Sequence, residues 1–371
     1  MEFESLLKVM TEKKASDLFI TAGRAPSIKV HGRIMPITKA VLDARQARAM
    51  VYSIMSDAQQ REFEAEKECN FALSAKGLGR FRVSAFTQRT AVGMVLRRIE
   101  SEIPTVEELH LPPISKDLAM TKRGLVIVVG ATGTGKSTSL AAMIGHRNRN
   151  STGHIVTIED PIEFLHNHEG CIVTQREVGI DTDSYSVALK NTLRQAPDVI
   201  LIGEVRSRET MEHAIAFAET GHLVLTTLHA NNANQALDRI INFFPEDRRS
   251  QLLMDLSLNL KGIVAQQLVR RKDGKGRRAV VEVLINTPLA ADLIRRGEIH
   301  RLKDLMKASN EQGMVTFDQM LYRLYKDGII RYEDALAHAD SANEVRLAIK
   351  LDSSDWAEME EELDDAVLIE E

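Results

Sequence analysis

The sequence predicts an α/β protein with two folded domains, the second of which is built around a parallel β-sheet. From Gly124 onward, short β-branched runs alternate with helical segments, which is typical of an α/β domain. These runs are apolar throughout, as strands are in a parallel sheet that is covered on both faces. A glycine-rich loop separates the first run from the helical segment that follows it.

Composition and charge narrow the class of protein. Charged residues make up 27% of the chain and hydrophobic residues 44%, which is typical of a globular protein. The net charge of −5 argues against a broadly cationic surface for nucleic acid or acidic lipid. The aromatic content of 5% also disfavours a helicase, which would need stacking surfaces. We therefore expect no nucleic-acid partner.

Three features predict a cytoplasmic protein. No apolar run approaches the roughly 20 residues of a membrane span. The first ten residues contain two acids where a signal peptide would be basic. The two cysteines, Cys69 and Cys171, lie far apart, which disfavours both a disulfide and a zinc site. Any membrane contact is expected to be made through partner proteins.

Residues 1–100 predict a mixed α/β domain, and residues 101–120 a linker. The linker is marked by Pro104, Pro112 and Pro113, which disfavour regular structure. Apolar spacing and turn residues predict the elements of the domain. They are a helix at 4–15, strands at 16–23 and 26–37, a helical stretch at 43–67 that breaks near Ser56–Asp57, and two strands within 80–99.

Residues 121–351 predict the parallel-sheet domain. Beyond Phe243 its pattern becomes helical, with a helix expected over 246–271 and two or three more helices up to about Leu351. The four apolar runs that predict strands are residues 125–129, 154–158, 198–203 and 222–228.

Residues 352–371 form an acidic tail with ten acids and no base. A disordered extension is the default interpretation. The helical spacing of Trp356, Met359, Leu363 and Val367 leaves open a weaker hypothesis, that the tail docks on a basic surface of a partner.

The segment Gly130-x-x-x-x-Gly135-Lys136-Ser137 is a complete phosphate-binding loop motif in the strand–loop–helix context that supports it. Glycines let backbone N–H groups close around a phosphate, and the helix N-terminus adds partial positive charge. Lys136 is expected to contact the β- and γ-phosphates of ATP, and Ser137 to ligate Mg²⁺. The predicted nucleotide-binding residues are Gly130, Ala131, Thr132, Gly133, Thr134, Gly135, Lys136, Ser137 and Thr138.

Acidic residues after two of the predicted strands are candidates for holding the metal and the attacking water. Carboxyl ends of parallel strands share one edge with the loop, so both groups of acids are expected to face the γ-phosphate. Glu204 follows an apolar strand, as a Walker B acid does, and is assigned to Mg²⁺ and water. Glu163 is assigned to positioning or deprotonating the water. For Asp160, beside Pro161, capping of the turn is an equally good interpretation.

Two histidines lie at the two ends of one predicted strand. His229 follows its carboxyl end and is a candidate sensor of the γ-phosphate or of a neighbouring subunit. His222 is expected to have a structural role near the strand start. The segment "HNHEGC" at 166–171 lacks a fourth ligand and does not predict a zinc site.

Arg80 and Arg82 lie two residues apart in a predicted strand and so share one face, opposite Phe81 and Val83. A solvated basic face is the simpler interpretation of these residues alone. An arginine that neutralises transition-state charge accelerates phosphoryl transfer by about 10³–10⁵. The pattern does not choose between this pair and the other basic candidates, which are Arg97, Arg98, Arg194, Arg206 and Arg208.

Four segments, in fixed order and spacing, resemble those of the ATPases that drive type II secretion and type IV pili. They are "GATGTGKST", "IVTIEDPIEF", "ILIGEVR" and "TGHLVLTTLHAN". Within that superfamily the chain is similar to the pilus retraction ATPases, the PilT/PilU family, from about Glu4 to Leu351.

The resemblance implies a ring hexamer with a PAS-like N-terminal domain and a RecA-like C-terminal domain, between which nucleotide binds. It implies that Arg80 and Arg82 reach toward phosphate and that Glu163, Glu204 and His229 carry the family's acidic, Walker B and histidine roles. ATP hydrolysis would move one domain against the other. That motion would turn a platform protein of the inner membrane, at whose inner face the ATPase would act. Pilin subunits would then be pulled back into the membrane, and this retraction underlies twitching motility.

Two departures point toward the PilU branch. Where PilT-type proteins carry "AIRNLIRE", residues 289–296 read "LAADLIRR", so that Ala291–Asp292 replaces an Arg–Asn pair. The acidic tail is also absent from the PilT pattern. Both imply an accessory motor that works with a PilT-type partner.

Two alternatives remain open. A regulatory ring would bind nucleotide and rely on a partner for force. The altered 289–296 stretch is compatible with this hypothesis. An assembly or secretion ATPase of the same superfamily is disfavoured, because such proteins usually carry a paired-cysteine zinc insertion and an extra N-terminal domain. Intact Lys136, Glu163 and Glu204 favour hydrolysis.

Overall fold

The computed structural model describes the chain in two compact units. The segment Ile162–His166 clusters with the first unit, although the sequence around it belongs to the second. The acidic tail from residue 353 onward lies outside the described residues. The described ranges are 3–30, 32–100 and 102–352. The units are Met1–Glu102 with Ile162–His166, and Ile103–Pro161 with Asn167–Glu371.

The first unit contains a six-stranded antiparallel sheet in the order β3-β2-β1-β6-β5-β4. The apolar faces of its helices and strands form one core. Its elements are α1 (Phe3–Glu12), β1 (Asp17–Ile20), β2 (Ser27–Val30), β3 (Arg33–Pro36), α2 (Ala44–Tyr52), α3 (Asp57–Glu66), β4 (Glu68–Ala75), β5 (Gly79–Gln88) and β6 (Ala91–Arg98).

Most of the elements predicted for this unit are present. The helical stretch breaks where expected, because Ser56 caps α3 in a capping box with Gln59. The single strand predicted at 26–37 is wrong: β2 and β3 form a hairpin, and Gly32 supplies the positive φ of its turn. Strand β4 was not predicted, although its first four residues alternate between exposed and buried.

The second unit contains a seven-stranded sheet in the order β13-β12-β7-β11-β10-β8-β9, parallel except for the edge strand β13. Its elements are α4 (Ile114–Met120), β7 (Gly124–Val129), α5 (Lys136–Asn150), β8 (Gly153–Glu159), β9 (Cys171–Glu177), α6 (Tyr185–Thr192), β10 (Val199–Ile202), α7 (Arg208–Glu219), β11 (Leu223–Leu228), α8 (Ala233–Asn242), α9 (Glu246–Asn259), β12 (Leu260–Arg270), β13 (Arg277–Ile285), α10 (Pro288–Arg295), α11 (Leu302–Ala308), α12 (Phe317–Lys326), α13 (Tyr332–Ala337) and α14 (Ala342–Asp352).

Both faces of this sheet are covered, as the apolar runs predicted. In β7, Leu125 and Ile127 belong to one buried cluster, while Val126 and Val128 belong to another. All six residues of β7 and of β11 are buried. The four predicted strands therefore occupy the middle of a parallel sheet.

The helix predicted over 246–271 is wrong in its second half. Helix α9 ends at Asn259, and the chain continues directly as β12, which pairs with β7 on one side and β13 on the other. Ile263 and Val264 are β-branched and fit a pleated, buried surface. Hydrophobic periodicity does not separate a buried strand from a continuing helix. The predicted linker also contains helix α4.

Within residues 3–30, 32–100 and 102–352, no helix has the length and apolar character that a membrane crossing requires.

Candidate nucleotide site at the carboxyl edge of the parallel sheet

The predicted motifs of the second unit follow neighbouring strands at one edge of the sheet. Strands β7, β11, β10 and β8 are adjacent in that order. Val129 at the end of β7 pairs with Leu228 at the end of β11, so Gly130 and His229 leave the sheet side by side. Glu204 follows β10, and Glu159 ends β8. The fold thus gathers four separate sequence motifs at one edge.

Two glycines of the loop are required by the backbone, one where another strand approaches closely and one at a turn. Gly130 has φ +157°, and a Cβ there would lie 2.5 Å from the carbonyl oxygen of Gln266 and 2.5 Å from Thr134 Oγ1. Gly135 has φ +87° and precedes the first residue of α5. Only glycine fits both positions without strain, so the loop is shaped by backbone rather than by side chains.

Lys136 is buried at the start of α5. Its Nζ donates to the carbonyl oxygens of Gly130, at 2.9 Å, and Ala131, at 2.8 Å. The ammonium group therefore lies against the loop backbone, where a bound phosphate would add its own acceptors. Ser137 follows in the same first turn of the helix.

Glu204 is fixed by contacts between its segment and β11. Thr227 Oγ1 donates to the carbonyl oxygen of Gly203 at 2.7 Å, and the Val205 amide donates to the carbonyl of Thr227 at 2.9 Å. The Glu204 side chain is only 11% exposed and forms an ion pair with Arg206. A carboxylate held this firmly can position a metal ion or water with little reorganisation.

His229 contacts the same carboxylate. Its Nε2 lies 3.4 Å from Glu204 Oε2. Burial and the nearby Lys136 charge lower the pKa of His229 below its usual value, while Glu204 opposes that shift. The neutral ring is therefore favoured at pH 7.

The structure adds Tyr185 to this edge, a residue that the motif analysis missed. Its buried Oη has no hydrogen-bond partner among the described residues, and a Cβ at Gly203 would lie 2.9 Å from it. Burial raises the pKa of Tyr185, and the charges of Asp160, Glu204 and Glu159 raise it further. Tyr185 opens α6 without a sequence motif, so only the fold could reveal this neighbourhood.

Glu159 is held locally. Its Oε1 accepts hydrogen bonds from Thr157 Oγ1 at 2.6 Å and from Gln175 Nε2 at 3.2 Å. Asp160 follows it and precedes Pro161 across a cis peptide bond.

Arg80, Arg82 and Glu163 belong to the first unit. Arg80 and Arg82 lie on the partly exposed face of β5, while Phe81 and Val83 are buried on the other, as the period of two predicted. Arg82 Nη2 donates to the carbonyl oxygen of Ile162 at 3.3 Å. Arg82 is thereby tied to the short segment that carries the exposed Glu163.

His222 lies in the turn before β11. Its Nδ1 is 3.1 Å from both the Phe217 carbonyl oxygen and Thr220 Oγ1, which is a structural environment. In the described part of the chain, no group of three or more His, Cys, Asp or Glu side chains is arranged to hold a metal ion. Ser137 and Glu204 offer oxygen atoms of the kind that Mg²⁺ prefers.

A cavity of about 670 Å³ adjoins the loop. It is lined by Ala131 and His229 and otherwise mostly by polar residues of the α8 segment, among them Asn231, Gln235 and Asp238. Its volume is in the range of small-molecule sites, and it meets the loop at Ala131.

Comparison with known proteins gives consistent matches. Residues 3–323 match the family described as Type II/IV secretion system protein. The Type IV pilus ATPase PilU of Pseudomonas aeruginosa is 73% identical over 358 residues, which cover 96% of this chain and 94% of that protein. The Type IV pilus retractation ATPase PilT of the same organism is 41% identical over 335 residues, covering 90% and 97%. The crystal structure of the pilus retraction motor PilT with bound ADP superposes with a TM-score of 0.86 at 38% identity, covering 93% of this chain and 98% of that one.

Proposed function

We propose a function for this chain from the premise that it belongs to the Type II/IV secretion system protein family. It is a P-loop ATPase of the kind that powers pilus retraction, and it binds a nucleotide. Its finer role is that of an accessory motor for type IV pilus retraction, working with a PilT-type partner. The observation that carries this proposal is the joint arrangement of the phosphate-binding loop, Glu204 and His229 on adjacent strands, in a chain with 73% identity to a PilU protein.

The chain's own residues divide the work of phosphoryl transfer. Residues 130–138 would hold the phosphates through backbone N–H groups, and Lys136, which donates to two loop carbonyl oxygens, would also donate to phosphate oxygens. Ser137 and Glu204 would hold Mg²⁺, which would supply charge neutralisation at the phosphates when bound. Glu204 also orients the attacking water, and Glu163 positions it or accepts its proton.

Arg80, Arg82 and His229 complete the proposed set. The two arginines are proposed to neutralise charge that develops on the transferred phosphoryl group. His229 lies beside Glu204 and is followed by helix α8. A neutral His229 would shift when the ligands of the Glu204 carboxylate change, and α8 would move with it.

Assembly is proposed as a homo-hexameric ring at the cytoplasmic face of the inner membrane, where a platform protein receives the motion. Homologous ATPases of this kind support an oligomer. ATP-driven motion would be coupled to retraction through that partner.

A regulatory ring without independent hydrolysis is the second candidate, and one local feature favours it. In α10, Asp292 pairs with Arg295 at 2.5 Å and with Arg296 at 2.9 Å. Both arginines lie in the stretch that departs from the PilT pattern. Because they are paired with Asp292, they are less available for charged contacts with a partner protein.

Steady-state ATP hydrolysis by the purified protein, with and without Mg²⁺, tests the proposal. The wild type should hydrolyse ATP only with Mg²⁺, and Lys136→Ala should lose both nucleotide binding and turnover. Lys8→Ala removes an exposed lysine of α1 and is the matched control, expected to behave as wild type. Binding without turnover would support the regulatory ring instead.

The cellular role is tested in a strain that lacks its own protein of this kind. The wild-type gene should restore twitching only when a PilT-type protein is present, and Lys136→Ala should not. Restoration in the absence of any PilT-type protein would overturn the accessory role.

A further inference from the structure

Gln266 lies on β12, next to the start of the phosphate-binding loop. Strand β12 runs parallel to β7, and Ala265 pairs with Val129, the last residue before the loop. Gln266 is therefore level with Gly130, whose missing Cβ would lie 2.5 Å from the Gln266 carbonyl oxygen. The side chain of Gln266 is buried, with the residue only 4% exposed.

The carboxamide of Gln266 bridges two sides of the loop–helix junction. Its Nε2 donates to the carbonyl oxygen of Thr134 at 2.7 Å, and its Oε1 accepts from Ser139 Oγ at 2.6 Å. Thr134 precedes Gly135 and Lys136, while Ser139 follows them in α5. One buried group thus links the loop backbone at Thr134 to the Ser139 side chain of α5, on either side of the residues that would hold phosphate.

The chemistry of this position requires a group that both donates and accepts. The Thr134 carbonyl can only accept, so a carboxylate in place of the amide would leave it without a donor. An apolar side chain would remove the donor to the partly buried Thr134 carbonyl and the acceptor of the buried Ser139 hydroxyl. The amide satisfies both partners at once, which sets the orientation of the loop before any nucleotide arrives.

We infer that Gln266 is a positioning residue for the phosphate-binding loop, holding it in the conformation that accepts a nucleoside polyphosphate. The inference rests on the proposed nucleotide-binding function of that loop. Gln266 lies about 130 residues beyond the loop in the sequence, so the inference makes β12 part of the nucleotide site. Gln266 is not contained in any of the four family motifs. Preorganisation of this kind raises affinity because less ordering is left to the moment of binding.

The neighbouring Gln267 supplies a matched control. It lies on the same strand, points to the other face and makes two comparable contacts, with Nε2 donating to the His338 carbonyl oxygen at 3.0 Å and Oε1 lying 3.0 Å from His338 Nδ1. The substitutions Gln266→Met and Gln267→Met each remove one carboxamide with little change of shape. Only the first removes contacts to the loop.

The test measures binding of fluorescently labelled ADP, the KM and kcat for ATP, and the melting temperature without nucleotide. Gln266→Met should weaken ADP binding about tenfold or more and raise KM, because one buried and one partly buried hydrogen bond that order the loop are lost. Gln267→Met should lose comparable thermal stability while its ADP affinity stays within about twofold of wild type. Gln266→Glu should bind ADP more weakly still, since it adds negative charge beside the phosphates.

Equal ADP affinity in Gln266→Met and Gln267→Met would overturn the inference. If Gln266→Met does not fold, Ser139→Ala decides: it removes one contact of Gln266, and an unchanged ADP affinity in it overturns the inference, whereas a loss supports it. Failure of the proposed function is separable from these outcomes, because it would appear as a lack of ADP binding by the wild type itself.

Discussion

Nε2 of His229 lies 3.4 Å from Oε2 of Glu204, although the two residues are separated by an intervening helix and strand in the sequence. Each follows the carboxyl end of its own strand, β11 and β10, and these strands pair in parallel register. The contact places a titratable ring directly beside the proposed metal-binding carboxylate, so changes at one group are felt electrostatically by the other.

Replacing Glu204 with glutamine is expected to stop hydrolysis while preserving nucleotide binding. The amide keeps the size of the side chain but loses the charge that holds metal and orients water, so kcat should fall about 10²–10⁴-fold. Glu212→Gln changes an exposed acid of α7 that pairs with Arg208, and should hydrolyse ATP as the wild type does. If the Glu204→Gln protein kept the wild-type kcat, another acid would have to hold the metal and orient the water.

Arg82→Ala is expected to lower kcat for ATP more than it lowers stability. The side chain is proposed to stabilise transition-state charge, and its contact with the Ile162 carbonyl orders the segment that carries Glu163. Single-turnover hydrolysis and thermal unfolding measure the two effects separately. Arg61→Ala, which removes an exposed arginine of α3, serves as the control. A kcat unchanged in Arg82→Ala would favour the solvated-face interpretation of this strand.

Tyr185→Phe is expected to leave the melting temperature unchanged or to raise it. Tyr185 Oη is buried without a protein hydrogen-bond partner in the described structure, and removing an unsatisfied polar group relieves a desolvation cost. Thr157→Val offers the contrast, because it removes a buried hydroxyl that donates to Glu159 at 2.6 Å and should cost about 1 kcal/mol. A clear loss of stability in Tyr185→Phe would mean that water satisfies its hydroxyl.

Glu282 joins four elements of the second unit from a fully buried position on β13. Its carboxylate accepts from the amide of Ala233 at 3.0 Å and of Phe317 at 3.4 Å, and it pairs with Lys303. Burial raises the pKa of Glu282, and Lys303 opposes that shift. Lys303 also pairs with Asp340.

Glu282→Ala is therefore expected to destabilise the protein by about 2–4 kcal/mol, because it leaves two buried helix-terminal amides without their acceptor and removes one of the two carboxylate partners of the partly buried Lys303. Chemical denaturation at fixed protein concentration measures the change. Glu344→Ala removes a half-exposed acid that pairs with Lys307, and should cost no more than about 1 kcal/mol. Similar losses in both variants would contradict the role of Glu282 as a buried junction.

Both cysteine thiols are expected to be unreactive in the native protein. Burial, with the charges of Glu62 and Glu66, raises the pKa of Cys69 to about 11, and burial raises the pKa of Cys171. Because the thiolate is the reactive form, a thiol reagent at pH 8 should modify neither residue quickly. Both should react after denaturation, and Cys171→Ser would assign the signals. One fast native thiol would show that its site opens readily.

The local sequence determined the central strands and the phosphate-binding loop. The runs that became β7, β8, β10 and β11 are short, rich in β-branched residues and apolar on both faces, a pattern typical of covered parallel strands. The loop was equally determined, because Gly130 and Gly135 adopt backbone conformations that other residues resist. Because the carboxyl ends of parallel strands share one edge, Glu204 and His229, which each follow such an end, were expected on the side of the sheet that carries the loop.

Only the tertiary structure decided which distant residues complete that edge. The sequence of strand β12 predicts a helix, and that prediction is wrong. The strand conformation depends on pairing with β7 and β13, which the periodicity of the segment does not reveal. Gln266 and Tyr185 carry no local signal, because their environments are created by strands and helices remote in sequence. Likewise, Ile162–His166 clusters with the first unit through contacts with β5 and Glu100. Hydrophobic pattern and glycine geometry are properties of the local chain, whereas hydrogen-bond partners between strands exist only once the fold has brought them together.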